Sequence, residues 1–424
     1  MPNQRTYTTK ARGVFTYCIT SVCLLIFGIA TSVVSGCSIG NRAVEAPEDQ
    51  LTPAGWQNNK TLLQNRSFEQ YATAVNHELY RHRIPFDNER AEQEIDMASP
   101  VELPPGANCN AKSKGVAILV HGLADTAFSM KDIGRVLADA CYTSRVILLP
   151  GHGTRGGDLL ITRLSDWQQT IQYLIDQAAM ETDNIVLAGF SLGAVLTLEA
   201  AMRRPDDIAG IIAISPAYYL SSERLTKWAP LAAPFVRWVD RGVADDPMRY
   251  EAMPTRGVAE TWKAIKQMHQ LVKRLGQVQF PWMLAQSMDD AVVVPDKNEA
   301  FWKAYAVNPA SRLIRFVSDQ VYAEEERAIT LAGSDATERV IALTHLAIHQ
   351  SPDNPHYGRN GRYRNCGSGM PRATTMVSLC EESDSVWYGL WSTEPEPGRA
   401  MAYSTFNPSF DQFASELKRF ASQL

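Results

Sequence analysis

Between Lys114 and Val317 short, wholly apolar runs alternate with stretches of helical length, and few architectures accommodate that rhythm. Val116-Ala-Ile-Leu-Val120, Val146-Ile-Leu-Leu149, Ile185-Val-Leu-Ala188 and Ile208 to Ile214 lack the polar alternation of half-exposed strands. They read as strands buried on both faces. Met130 to Tyr142, a segment opening at a Ser165-x-x-Gln168 capping box, and Leu192 to Arg203 read as the intervening helices. The expected fold class is therefore α/β, with a mostly parallel central sheet flanked by helices. The rhythm breaks from Pro216 to about Gln279, where Tyr218, Tyr219, Trp228, Phe235 and Trp238 precede a helical pattern from Val258 to Leu275. It resumes with the strand Phe280 to Ala285, a helix from Asp296 to Tyr305 and the strand Leu313 to Val317. An irregular tract then runs from 319 to 406. A final helix follows, with Asn407 as cap and Pro408 at its first position, and with Phe410, Phe413, Leu417 and Phe420 on one face.

At 424 residues the chain can form one large domain with insertions. A net charge of −5 gives no electrostatic reason to expect a nucleic-acid partner. The N-terminus is distinctive. Arg5, Lys10 and Arg12 precede an uncharged stretch from Gly13 to Gly40, the pattern of a secretory signal, with a retained membrane helix as the competing reading. Its end, Val34-Ser35-Gly36-Cys37, resembles the bacterial lipobox, in which the cysteine receives lipid and becomes the new N-terminus. The expected organisation is a signal over residues 1–36, a polar tether over 37–65 and a catalytic domain over 66–424. Ser38 after the cysteine resembles outer-membrane retention, so the expected place is the cell envelope.

Outside the signal and Cys37 remain Cys109, Cys141, Cys366 and Cys380, an even number suited to an oxidising compartment. Cys109 precedes one strand and Cys141 ends the helix after it, so both fall at the N-terminal edge of a parallel sheet. That topology pairs Cys109 with Cys141 and leaves Cys366 to pair with Cys380.

The chemistry centres on Gly189-Phe-Ser191-Leu-Gly193, which follows a strand and opens a helix, the context that gives G-x-S-x-G its meaning. A serine hydroxyl is a weak nucleophile and needs a base and an anion-stabilising pocket. His121-Gly122-Leu123 follows the strand ending at Val120, so the backbone N–H groups of Leu123 and Leu192 are the candidate oxyanion donors. His121 is read as orienting that loop and His152 as structural.

Taken together, His121-Gly-Leu-Ala-Asp-Thr126, Leu149-Pro-Gly-His-Gly153 and the Ser191 elbow resemble bacterial α/β-hydrolases of the monoacylglycerol lipase and serine aminopeptidase group. The resemblance covers roughly Lys114 to Val317 plus the terminal helix. It implies an esterase or lipase reaction through an acyl-enzyme, with the insertion at 216–279 standing where the family carries its lid. Family spacing places the acid a few residues before Val292-Val-Val-Pro295, favouring Asp290 over Asp289. No histidine stands directly after Val317, which departs from the common pattern. Thr344-His345-Leu-Ala-Ile348 resembles the histidine loop of exported relatives, making His345 the expected base, with His349 and His356 as alternatives.

The expectation is a serine carboxylic-ester hydrolase with catalytic Ser191, Asp290 and His345 and no metal or organic cofactor. It would act on a small acyl-ester or lipid-like substrate and be held to a membrane through Cys37. The same residues could serve a serine aminopeptidase, a thioesterase or an acyltransferase, and a non-catalytic lipoprotein binding module is the alternative of another class.

Overall fold

The computed structural model describes residues 45–55, 67–110, 112–367, 374–390 and 399–424; Cys37 and the signal-like segment lie outside them. Five strands come first: β1 (Val101–Leu103), β2 (Gly115–Val120), β3 (Tyr142–Val146), β4 (Ile185–Phe190) and β5 (Ile208–Ile214). The pair β6 (Trp238–Asp240) and β7 (Met253–Pro254) belongs to the insertion. Then come β8 (Trp282–Ser287), β9 (Arg312–Val317), β10 (Ala328–Ala332), and a small separate pair, β11 (Val386–Gly389) with β12 (Ala400–Tyr403). The main sheet has eight strands in the order β1-β3-β2-β4-β5-β8-β9-β10, all parallel except β1.

Side chains alternate across a strand, so two-sided burial should split each apolar run between two cores. It does. Val116, Ile118, Val120, Ile185, Leu187 and Ile211 join one cluster, with helices Leu164–Ala179, Leu192–Arg203 and Thr255–Leu275. Ala117, Leu119, Val186, Ala188, Ile212 and Ile214 join the other, with helices Lys131–Asp139 and Phe410–Ala421. In the terminal helix Phe410, Phe413, Leu417 and Phe420 are all buried, and Phe413 meets Phe316 of β9 edge to face at 5.5 Å. Each such side chain contributes about 1.5–3 kcal/mol by leaving water.

Several boundaries differ from the sequence reading. The third strand is Tyr142–Val146, while Ile147 to Leu149 is buried loop. Its polar Ser144 and Arg145 are buried, the guanidinium pairing through Nε with Glu102 at 2.7 Å and through Nη2 with Glu181 at 2.7 Å. The helix expected to cap at Ser165 starts at Leu164, and the Asp166 carboxylate accepts the Arg163 N–H at 2.8 Å. Asn407 stands two residues before the Ser409 N-cap and accepts the Ser409 N–H at 2.9 Å. The tract 319–406 is not wholly irregular. It adds β10 as an edge strand and contains helix Thr374–Glu382 and the β11–β12 pair. Residues 45–55, expected within the tether, are packed on the domain: Ala46 N–H donates to Arg241 O at 2.8 Å, and Ala46 and Leu51 are buried with Ala252.

Both expected disulfides form, Cys109–Cys141 with Cα atoms 5.4 Å apart and Cys366–Cys380 at 5.7 Å. The first joins the N-terminal approaches of β2 and β3, where Lys114 N–H also donates to Cys141 O at 2.7 Å. Among the described residues no helix is long and apolar enough to cross a membrane.

Candidate active site

Ser191 follows β4 directly and precedes helix Leu192–Arg203, with φ 52° and ψ −114°. This left-handed corner is costly for a residue with a side chain, about 1–3 kcal/mol, and persists because its surroundings over-determine it. Two glycines make it possible. A Cβ on Gly189 would stand 2.4 Å from the backbone of Gly193, and one on Gly193 would stand 2.1 Å from Val120 O. The corner is pinned by Ser191 N–H to Ile214 O at 3.0 Å and by Ala217 N–H to Ser191 O at 3.2 Å.

His345 arrives from a loop far along the chain. Ser287 Oγ donates to Leu343 O at 2.8 Å, Thr344 Oγ1 to Ser404 O at 2.7 Å, and Asn407 Nδ2 to Ile348 O at 3.0 Å. So anchored, the imidazole places Nε2 2.9 Å from Ser191 Oγ and Nδ1 2.7 Å from Asp290 Oδ2. The Asp290 side chain is shielded from solvent, and its other oxygen accepts the N–H groups of Val292 at 2.8 Å and Val293 at 3.1 Å. With Nδ1–H donated to Asp290, the Nε2 lone pair faces the serine hydroxyl.

The neighbouring candidates have other occupations. Asp289 accepts from Ser318 Oγ at 2.6 Å and Gln320 Nε2 at 3.2 Å, fastening the segment after β9. His349 is buried against the Phe190 ring at 4.1 Å, with no hydrogen-bond partner at either ring nitrogen. Burial, then the neighbouring His345 and Arg249, pushes its pKa down to about 3, so it stays neutral. His356 Nε2 lies 2.8 Å from Asp246 Oδ1, whose other oxygen accepts the Tyr357 hydroxyl at 2.8 Å. That pair joins the 216–279 insertion to the tract carrying His345.

Leu192 is the first residue of its helix, where backbone N–H groups have no intrahelical acceptor and point outward. Leu123 lies in the loop after β2, which His121 shapes from both ring nitrogens: Nδ1–H donates to Gly122 O at 2.8 Å and Nε2 accepts Leu149 N–H at 3.0 Å. Burial and the adjacent His152 keep this imidazole neutral. Burial pushes the His152 pKa down to about 4. Ala124 holds φ 60°, and the insertion grips it there through Tyr250 N–H to Ala124 O at 2.8 Å. No sequence pattern pointed to Tyr250, or to buried Asp125 and Asp246 with the half-buried Arg249 beside it. The insertion's part of this group offered only a local cluster of charge, Asp245, Asp246, Arg249 and Glu251 within seven residues. The aromatics of the insertion do not share one pocket: Tyr218 is buried against Trp282 and Phe301, whereas Trp228 and Phe235 are exposed.

The sheet, the strained elbow and the Ser191–His345–Asp290 chain define a serine hydrolase of the α/β-hydrolase class. Within that class, its sequence is similar to S33 serine aminopeptidases and monoacylglycerol lipases. Residues 111–314 match the sequence profile of the serine aminopeptidase S33 family. A thermostable monoacylglycerol lipase of Bacillus sp. (strain H-257) is 28% identical over 184 residues, covering 42% of this chain and 71% of that protein. A carboxylesterase of Bacillus subtilis (strain 168) is 27% identical over 112 residues, 26% of this chain and 44% of that one. A solved structure of a metagenome-derived lipolytic enzyme overlaps with TM-score 0.45 and 22% identity, covering 52% of this chain and 87% of the other. The family match ends at 314, so it includes Ser191 and Asp290 but not His345.

Proposed function

We propose that this protein hydrolyses carboxylic esters through an acyl-enzyme, on small acyl-ester or lipid-like substrates, while anchored to a membrane by lipid on Cys37. The observation that carries the catalytic reading is the unbroken hydrogen-bond chain from Ser191 Oγ through His345 to Asp290. His345 Nε2 takes the hydroxyl proton as Oγ bonds to the ester carbonyl carbon, and Asp290 stabilises the imidazolium. The tetrahedral oxyanion sits at the N–H groups of Leu123 and Leu192, an interaction worth about 2.7–4 kcal/mol per donor. Collapse breaks the C–O bond, and His345 returns its proton to the departing alcohol. Water, deprotonated by the same nitrogen, then attacks the acyl-serine and releases the acid. Ester over peptide substrates is favoured because the two curated relatives are a monoacylglycerol lipase and a carboxylesterase.

Export is supported by the two disulfides, which persist in oxidising compartments and are rare elsewhere. The test of the catalytic reading is covalent labelling by a fluorophosphonate, with Ser191→Ala as control, followed by kcat/KM over p-nitrophenyl and glycerol esters of increasing chain length and over aminoacyl anilides. Labelling of Ser191 with ester turnover is expected. Turnover of the anilides alone would move the protein to the aminopeptidases, and no labelling of folded protein would make it a binding module.

A further inference from the structure

Gly156 and Gly157 stand side by side between β3 and helix Leu164–Ala179, and neither holds a positive φ, so space and not backbone conformation calls for glycine there. A Cβ on Gly157 would stand 2.5 Å from the Thr52 carbonyl carbon, and one on Gly156 would stand 3.2 Å from Ala252 O. The room they leave is filled by residues 45–55 and by the limb of the insertion next to them. Residues 45–55 are fastened to the body by Ala54 N–H, which donates to Asp158 Oδ1 at 2.8 Å, and by Arg155 Nη1, which donates to Asp49 O at 3.2 Å. They are fastened to the insertion by Ala46 N–H, which donates to Arg241 O at 2.8 Å, and by the bridge from Glu45 to Gly242. Ala46 and Leu51 also pack on Ala252 and Trp238. All of these residues precede the stretch 111–314 that matches the S33 family.

The limb held in this way reaches the loop 121–126, which carries the oxyanion donor Leu123. Tyr250, two residues before Ala252, donates its N–H to Ala124 O at 2.8 Å and its hydroxyl to Gly151 O at 3.4 Å. Met248 Sδ accepts from Thr126 Oγ1 at 3.8 Å. Five residues beyond Ala252, a Cβ on Gly257 would stand 3.6 Å from Leu123 Cδ1, so helix Thr255–Leu275 lies against the Leu123 side chain. Leu123, Ala124 and Thr126 therefore each meet the stretch 248–257, and residues 45–55 grip that same stretch at Ala252. Ala124 holds φ 60°, a conformation that a residue with a side chain keeps only while its surroundings impose it.

We propose that residues 45–55 are a strap that positions the oxyanion loop: clamping Arg241 and Ala252 to the body, it holds Tyr250 against Ala124 and so keeps the Leu123 N–H aimed at the place where the oxyanion develops. This deepens the hydrolase reading above and rests on it. A donor of this kind acts only if it is already aimed when charge appears on the carbonyl oxygen. Misplacing a catalytic group by about 1 Å can cost on the order of 100-fold in rate. Leu51, Ala46 and Gly157 are then positioning residues, acting on the reaction through Ala252, Tyr250 and Ala124.

The test dislodges the strap of the full chain from both sides. Gly157→Ala sets a methyl group against the Thr52 backbone, Leu51→Ala removes the strap's buried side chain, and Glu48→Ala, at an exposed strap residue, is the control. Each variant is assayed for kcat and KM on p-nitrophenyl butyrate, and for amide hydrogen exchange in peptides covering 45–55, 121–126, 246–252 and, as a reference, β5. With the strap released, kcat should fall by about 10–100-fold while KM stays nearly unchanged, because the lost interaction belongs to the transition state. Exchange should quicken at 45–55, 121–126 and 246–252 and hold at β5, and Glu48→Ala should match the parent in every measurement. Faster exchange at 45–55 with 121–126 unmoved would overturn the proposal, as would kcat held at the parent's value. Faster exchange at β5 as well would reduce the strap to a general contribution to stability and overturn its positioning role. If the parent turns over no ester, the hydrolase reading fails by itself, and exchange at 121–126 still decides whether the strap holds that loop. If one variant does not fold, the other decides, since the two reach the strap from opposite sides.

Discussion

Three histidines within twelve positions, His345, His349 and His356, have distinct fates because each meets a different neighbour. A general base typically contributes about 10²–10⁴-fold in rate, so His345→Ala should nearly abolish ester turnover. His356→Ala should leave fluorophosphonate labelling of Ser191 intact at 25 °C but strand Asp246 in the interior. Breaking such a buried pair costs about 3–5 kcal/mol, read as an earlier midpoint in urea. Asp290→Asn should cut kcat by orders of magnitude with folding preserved, whereas Asp289→Asn, at a carboxylate bonded to Ser318 and Gln320, should change kcat little. The reverse ranking would move the acid one residue upstream. Ser191 and Asp290 were legible because each stands beside a strand end in a recognisable motif. His345 was reached only by likeness to a loop, and its real warrant, the Thr344–Ser404 and Asn407–Ile348 hydrogen bonds, joins residues that no local pattern connects.

Elements buried on both faces could be read with little error: β5 and helix Leu192–Arg203 lie where their apolar runs placed them. β3 could not, because its buried Ser144 and Arg145 look like surface residues until Glu102 and Glu181 arrive from other elements. β1, of three residues, and β10, half-buried at the sheet's edge, carry too little pattern to stand out. The insertion's hold on the domain has its own pH dependence. Burial raises the Glu251 pKa to about 7, opposed by Arg249 and reinforced by Asp245, Asp246 and Asp240. The folded state then binds a proton that the unfolded state has released above about pH 4.3, so this residue's contribution to stability falls as pH rises from there to about 7. Glu251→Gln should therefore be more stable than the parent at pH 8, on the order of 1–2 kcal/mol in urea titration, with the advantage shrinking by pH 5. An advantage that grows on acidification would contradict the assignment.

For the molecule as a whole, the two disulfides close loops of 32 and 14 residues, each stabilising the fold by about 3–4 kcal/mol if loop entropy dominates. Cys109→Ser with Cys141→Ser should lower the urea midpoint accordingly while kcat at 25 °C holds, because that bridge lies at the edge of the sheet opposite Ser191. Loss of activity from a stably folded double variant would show that the bridge reaches the site. The distance along the chain between the triad's members has a different consequence, in time. Ser191 and His345 are 154 residues apart, and the loop that carries His345 is held by Ser404 and Asn407, near the end of the chain. Contacts so far apart in sequence form late, after the locally connected strands and helices. A chain folding from its N-terminal side would build the nucleophile's corner well before it acquires a base, and would stay chemically silent towards esters during that interval. In refolding from urea, probe labelling of Ser191 should then lag behind the recovery of helix signal, making activity a report that the last part of the chain has docked.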